Sequence, residues 1–201
     1  MIKPIITGII ISAGKSGRCS GFKPLYEWEG KTFIEQVILK CLTVCESVIV
    51  VTGFKSDYII DAVAEFLDVQ MHERVKFVVN ADYEKGMFTS LKKGLASQVG
   101  GEWFLYHFVD QPMIPVKFYS EFVEQIDVTS NWLQPAYKGK NGHPIIFSDK
   151  IKNLIISSGD DANLKTIRNG HDTEIKVWEC EYPEVLLDID RDEDLRRIIV
   201  K

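Results

Sequence analysis

Three observations predict an α/β fold, a Rossmann-like three-layer sandwich around a mostly parallel sheet. Apolar runs that end in turn residues recur at 5–12, 47–52 (SVIVVT), 75–79 (VKFVV) and 104–109 (FLYHFV), with a further one at 132–136. Amphipathic stretches separate the first four, and strands alternating with helices mean βαβ units. The runs are apolar almost throughout, as in strands of a parallel sheet covered on both faces. At 201 residues and 45% hydrophobic, the chain can fill one such core, so residues 1–201 read as a single domain.

The first run, 5–12, opens into SAGKSGRCSGFKP at 12–24, a turn dense in glycine and cations. A helix follows. Thr32 with Glu35 three residues on is a capping box, and Phe33, Val37, Ile38, Cys41, Leu42 and Cys45 form its core-facing stripe to about Glu46. Further helices are expected at 56–67, 87–97, 116–126 (after Pro112 and Pro115), 148–156, 160–168 and 191–199. In the last of these Asp192, Glu193 and Asp194 suit the positive end of a helix. Past residue 130 the pattern loosens into short strands and turns. KGKNGHP at 138–144 is too rich in Gly, Lys and Asn for core, and is expected over the open end of the sheet.

A net charge of −5 argues against general nucleic-acid binding, which selects a basic surface. The apolar N-terminal run is too short to span a membrane and lacks a signal-peptide cleavage pattern, so a cytoplasmic protein is expected. Cysteines 19, 41, 45 and 180 include no C-x-x-C pair, which speaks against a zinc site or a disulfide framework.

Gly14-Lys15-Ser16 has the ending of a P-loop, but the spacing fails. G-x-x-x-x-G-K-[ST] would place its first glycine at position 9, which is Ile9, and Gly8 is one residue early. The residues between belong to a strand, whereas a phosphate cradle needs backbone free to turn its amides inward. The dinucleotide fingerprint G-x-G-x-x-G fails as well, because Gly14, Gly17 and Gly21 are spaced three and four apart. The stretch still has the chemistry of an anion site. Small residues at 12–14 let amides approach a ligand while Lys15, Arg18 and Lys23 supply charge.

Ile11-Ser12-Ala13-Gly14-Lys15-Ser16-Gly17-Arg18, with Lys23 beyond, resembles the L-A-A-G-x-S-x-R-M-G-x-x-K signature of nucleotidyltransferases similar to the molybdenum cofactor cytidylyltransferases. Four further matches follow in order: Gly86-Met87-Phe88-Thr89-Ser90-Leu91, Asp110-Gln111-Pro112, Gly142-His143-Pro144, and the acidic run from Asp188 to Leu195. The resemblance implies a nucleotidyltransferase-type sheet, with nucleotide binding in about residues 1–110 and acceptor binding in about 111–201. It implies transfer of CMP from CTP, or a nucleotidyl group from another NTP, to the phosphate of a molybdopterin-type acceptor, with a molybdoenzyme as the eventual partner.

Asp110 ends an apolar strand, so its carboxylate is expected at the carboxyl edge of the sheet, where α/β proteins bind ligands. There it would hold Mg²⁺, a hard cation suited to phosphate oxygens; by resemblance Asp190 is the second ligand. Either aspartate would serve equally as a helix cap. Asp188 shares a face with Asp190 if the run is extended. Gly86 and Ser90 open a helix whose free amides suit an anion, and Asn80 resembles a residue near the nucleotide. His143, Pro144 and Lys165 are expected toward the acceptor, though His143, between Gly142 and Pro144, would equally serve only to shape a turn. By the same resemblance Arg18, Lys23 and Asp110 would carry the catalytic roles, with Ser12, Ala13, Gly14, Lys15, Ser16 and Gly17 lining the nucleotide. A general base is not required, since a phosphate oxygen is already ionised near neutral pH.

Some positions depart from the pattern. Ser12 replaces an alanine, Cys19-Ser20 replace Met-Gly, and GDDANLKTIRN at 159–169 puts Leu164 where relatives carry an arginine, leaving Lys165 or Arg168 to reach the acceptor's phosphate. Ala13 and Gln111 favour the cytidylyl branch over the guanylyl. The competing readings are another NTP or phosphate acceptor, and a non-catalytic nucleotide-binding accessory protein for molybdoenzyme maturation. A nicotinamide-dependent oxidoreductase is disfavoured because the dinucleotide glycines are missing.

Overall fold

A computed structural model of the protein describes residues 4–98, 100–159 and 162–199. In chain order its elements are β1 (Ile6–Ser12), β2 (Glu27–Trp28), β3 (Lys31–Thr32), α1 (Phe33–Leu42), β4 (Ser47–Thr52), α2 (Ser56–Phe66), α3 (Val69–His72), β5 (Val75–Val79), α4 (Met87–Ala96), β6 (Trp103–Phe108), α5 (Val116–Val123), β7 (Trp132–Tyr137), β8 (Lys140–Asn141), β9 (Ile145–Ser148), α6 (Asp149–Ser157), α7 (Leu164–Arg168), β10 (Ile175–Glu179) and α8 (Asp192–Ile199). Strand order in the main sheet is β10-β7-β9-β6-β1-β4-β5, with β8 paired to β7. β1 runs parallel to both β4 and β6, β4 to β5, and β10 to β7, while β9 is antiparallel to β6 and β7. The sheet is therefore mostly parallel, with one antiparallel strand inserted near its middle.

Strand alternation sends side chains to two cores. Ile6, Ile10, Val48, Val50 and Leu105 face α1, α2 and α5. Ile9, Ile11, Ile49, Val51, Phe104 and Tyr106 face α4 and α6. All seven residues of β1 are buried, as a central strand covered on both faces requires. α1 begins with the expected capping box, Glu35 N–H donating to Thr32 and Thr32 N–H to Glu35. It stops at Leu42 rather than Glu46 because the Thr43 hydroxyl turns back onto the Lys40 carbonyl at 2.6 Å, closing the last turn.

Three other expectations change. The helix expected over 116–126 ends at Val123. Of the helix expected over 160–168, Asp160 and Asp161 lie outside the described residues, and the helix begins at Leu164 behind the Asn163 cap. The 138–144 stretch divides: Lys138 and Gly139 form an exposed turn between β7 and β8 with positive φ, while Gly142 and Pro144 are buried. No described helix is long and apolar enough to cross a membrane.

His107 lies on the α5 side of β6 and is wholly buried. Its Nδ1 is 2.9 Å from the Phe108 carbonyl and its Nε2 2.6 Å from the Tyr119 hydroxyl. Burial drives its pKa down from 6.5 to about 3. Because the native value is depressed, the unfolded chain binds a proton between pH 6.5 and about 3 that the native state does not, so stability is lost as pH falls through that window. Urea unfolding should show this contribution as a slope of about 1.4 kcal/mol per pH unit below pH 6.5. The His107→Asn protein should be less stable at neutral pH and should lose one proton's worth of that slope; an unchanged slope would refute the assignment.

Candidate active site

The chain leaves β1 toward β4 and β5, then returns through α4 to place β6 on the other side of β1. Adjacent parallel strands whose connections diverge leave a crevice at their carboxyl ends. Residues 13–24 follow β1 and Asp110 follows β6, so both reach that crevice. Ser16 adopts φ 55°, and its hydroxyl accepts from Lys23 N–H at 3.2 Å. That contact folds the loop back and aims Lys23 inward.

Lys23 is only 8% exposed, and its Nζ lies 3.2 Å from Asp110 Oδ2 and 2.9 Å from Asp190 Oδ1. Arg18 Nη2 reaches the same Asp190 oxygen at 2.9 Å. Burial opposes the lysine charge, but the two carboxylates outweigh it and hold its pKa above the ordinary value. Burial raises the pKa of Asp110 despite Lys23, whereas the Lys23 hydrogen bond lowers that of Asp190. Surrounding protein, then the nearby charges of Asp110 and Asp190, push Asp188 up to about 6. At the cavity Asp110 and Asp190 face Lys23 and Arg18, two carboxylates against two cations.

A cavity of about 280 Å³ opens here, bordered by Ser12, Ala13, Gly14, Ser16, Gly17, Arg18, Lys23, Ser90, Asp110 and Asp190. Lys15 is not among its walls; its ammonium is paired with Glu84. Asn80 lies beneath the cavity, 3% exposed, its amide donating to Thr89 at 3.0 Å and Ser90 at 2.9 Å while its oxygen accepts from Asp82 N–H. It braces the start of α4. A second cavity of about 520 Å³ shares Met87 and Phe108 with the first and is bordered by Gly86, His143 and Lys165. Pro144 is buried behind it and does not border it.

His143 packs on Phe108 with ring centroids 4.7 Å apart, and burial drives its pKa down to about 4, so it is neutral near pH 7. Its backbone N–H donates to the Val185 carbonyl at 2.9 Å. A side chain at Gly142 would lie 2.5 Å from that same oxygen, so the close approach requires glycine.

The sequence motifs missed Tyr83, which borders the first cavity and whose ring would meet any side chain at Gly53 at 2.7 Å. They also missed Trp132 and Gln134 in the second cavity, although strand alternation already put both on one face. Asp192 does more than start a helix: it accepts from Ser20 N–H at 3.0 and 3.1 Å and from the Tyr26 hydroxyl at 3.1 Å. Tyr26 in turn accepts from Gly21 N–H at 2.8 Å. Asp192 thus ties the cationic loop to the C-terminal segment.

Residues 8–177 match the family model of the MobA-like NTP transferase domain. The chain is 25% identical over 193 residues to the molybdenum cofactor cytidylyltransferase of Escherichia coli (strain K12), covering 92% of this chain and 91% of that protein. It is also 25% identical over 135 residues to a Bacillus cytotoxicus protein named probable molybdenum cofactor guanylyltransferase, covering 67% of this chain and 64% of that one. Among solved structures, a nucleotidyl transferase from Methanothermobacter thermautotroptrophicus superposes with a TM-score of 0.79 at 21% identity, over 96% of this chain and 95% of that one, which shows a shared fold.

If Asp192 secures the loop, Asp192→Ala should speed amide hydrogen exchange at Ser20 and Gly21 severalfold while leaving β1 and β6 protected. Unchanged exchange at those two amides would remove Asp192 from that role.

Proposed function

The chain belongs to the MobA-like NTP transferase family and is a nucleotidyltransferase, and from that premise we propose that it moves CMP from CTP to the phosphate of molybdopterin, releasing pyrophosphate. The observation that carries this reading is the buried Lys23 ammonium shared by Asp110 and Asp190 at the mouth of the cationic loop. Small residues Ser12 to Gly14 border the first cavity with Arg18 and Lys23, a composition suited to a triphosphate.

Lys23 takes up one oxygen of each carboxylate, and no described group of three or more His, Cys, Asp or Glu side chains is arranged for a metal. Asp110 and Asp190, the two carboxylates that border the first cavity, are the residues that would hold Mg²⁺, with phosphate and water completing its oxygen shell. Once bound, Mg²⁺ would offset charge developing on the triphosphate.

An oxygen of the acceptor phosphate forms the new bond to the α-phosphorus as the bond from that phosphorus to the bridging β-oxygen breaks. Pyrophosphate leaves with the electron pair. Arg18 and Lys23 neutralise it, and no proton need be removed from the attacking oxygen. Neutral His143 serves the acceptor by contact or hydrogen bonding rather than by charge. The shared wall at Met87 and Phe108 suits two substrates meeting end to end. The nucleotide part at about 1–110 and the acceptor part at about 111–201 then form one domain, crossed by Asp190 in the first cavity and Gly86 in the second. Free thiols at Cys19, Cys41, Cys45 and Cys180 fit a reducing cytoplasm.

Calorimetric titration of CTP, GTP, ATP and UTP with Mg²⁺ should give a preference for CTP, and pyrophosphate should appear only when molybdopterin is added. Asp110→Ala should lower the rate by roughly 100-fold or more. Equal affinity for all four nucleotides would remove CTP, a wild-type rate in the variant at saturating Mg²⁺ would remove the metal role, and binding without turnover would favour an accessory protein.

A further inference from the structure

The second cavity has aromatic walls from Tyr106, Phe108 and Trp132, and Arg168 of α7 at its border. Two features distinguish that arginine. Its Nε donates to Gln134 Oε1 at 2.8 Å, and Gln134, 7% exposed, donates its own Nε2 to the Gly142 carbonyl at 3.3 Å. Arg168 is thus braced through β7 to the turn that carries His143. No carboxylate borders this cavity among the described residues, so the guanidinium meets a ligand without a competing anion inside it.

Position in the sheet gives the contact its meaning. Gln134 lies on β7, two strands from β6 with β9 between, and Asp110 follows β6. Neighbouring strands are 4.7–4.9 Å apart, which puts the Gln134–Arg168 brace roughly 10 Å across the sheet from the carboxylate end. That distance exceeds the reach of one phosphate. Near the same place Trp132, 1% exposed, borders the cavity with its ring system.

Resting on the transferase reading above, we propose that Arg168, held by Gln134, determines acceptor specificity by binding the end of the acceptor remote from its reacting phosphate. The group it takes is a planar heterocyclic edge that presents two acceptors side by side, a carbonyl oxygen and an unprotonated ring nitrogen. With Nε given to Gln134 and Nη1 3.4 Å from Asn169 Oδ1, the guanidinium offers its remaining Nη N–H groups to such a pair, and the aromatic walls hold the ring. A short phosphomonoester satisfies the Asp110 end alone.

The test compares molybdopterin with glycerol 3-phosphate as acceptors for the full chain with CTP and Mg²⁺, in wild type, Arg168→Ala and Arg168→Lys. In the alanine variant the KM for molybdopterin should rise at least tenfold with kcat changed less than threefold. The ratio of kcat/KM for molybdopterin to that for glycerol 3-phosphate should fall at least tenfold. Lysine, which keeps charge without the fork, should restore only part of the loss. Equal losses on both acceptors, as from damaged packing, would overturn the proposal. Should wild type release no pyrophosphate with any acceptor, the transferase reading falls while Arg168 is judged separately, by molybdopterin quenching of tryptophan fluorescence. There a tenfold weaker affinity in Arg168→Ala supports the assignment, and equal affinity, or no binding to wild type, overturns it.

Discussion

The site depends on one buried ammonium. Lys23 keeps its charge at 8% exposure because Asp110 and Asp190 both lie within hydrogen-bond distance. A charge taken from water is costly, and either carboxylate alone would compensate it incompletely. Its two partners come from distant parts of the chain, and only the sheet brings them together. β1 and β6 are parallel neighbours in register, Ile11 beside Phe108, so the segments that follow them emerge side by side. The 188–190 segment is then fastened to the end of β6 by Ile189 N–H donating to the Asp110 carbonyl at 2.9 Å. Ile189 is buried, while Asp188 and Asp190 face the other way, as alternation along an extended run dictates.

Charge is divided unevenly between the two cavities. The first mixes cations with carboxylates, an environment that accepts a polyanion only if part of the negative charge is offset. The second has cations and aromatic rings and no described carboxylate. A chain with a net charge of −5 thus gathers cations without described carboxylates around its second cavity. His143 between them is held neutral by burial and adds no charge that changes with pH in the physiological range.

The parts of this architecture legible in the sequence are those set by local pattern. β1, β4 and β6 announce themselves because both faces are buried, β5 by an apolar run even though it is a half-exposed edge strand, and α1 because its cap is written in Thr32 and Glu35. β10 reads poorly: at the edge of the sheet its residues alternate between exposed and half-buried, so IKVWE has no clean apolar face. The place of β9 between β6 and β7 depends on pairings between strands far apart in sequence, which no local spacing encodes. The same limit applied at the site. Lys23 and Asp110 belong to motifs, and so do Ser20, Asp192 and Arg168, but the bonds that pair Asp192 with Ser20 and Arg168 with Gln134 span 172 and 34 positions and no motif encodes the pairing. Lys15 shows the converse, a motif cation whose ammonium is engaged by Glu84 outside the cavity wall.

Such remote bonds explain how a loop this exposed can serve an exacting task. A glycine-rich turn free to wander would lose entropy each time it closed on a ligand, and that loss would subtract from binding. Here Ser16 holds a positive φ, a conformation disfavoured for serine, and is kept there by the Lys23 N–H bond to its hydroxyl and by Cys19 N–H donating to its carbonyl at 2.9 Å. Farther along, Ser20 and Gly21 are tied to Asp192 and Tyr26, and the Cys19 thiol points to the Asp190 carbonyl at 3.3 Å. The C-terminal segment therefore supplies the Asp190 carboxylate and also fixes the loop that must face it. Because both tasks fall to the same few residues, the distance between cations and carboxylates is set before any substrate arrives, which is the condition under which charged groups stabilise a transition state without reorganising.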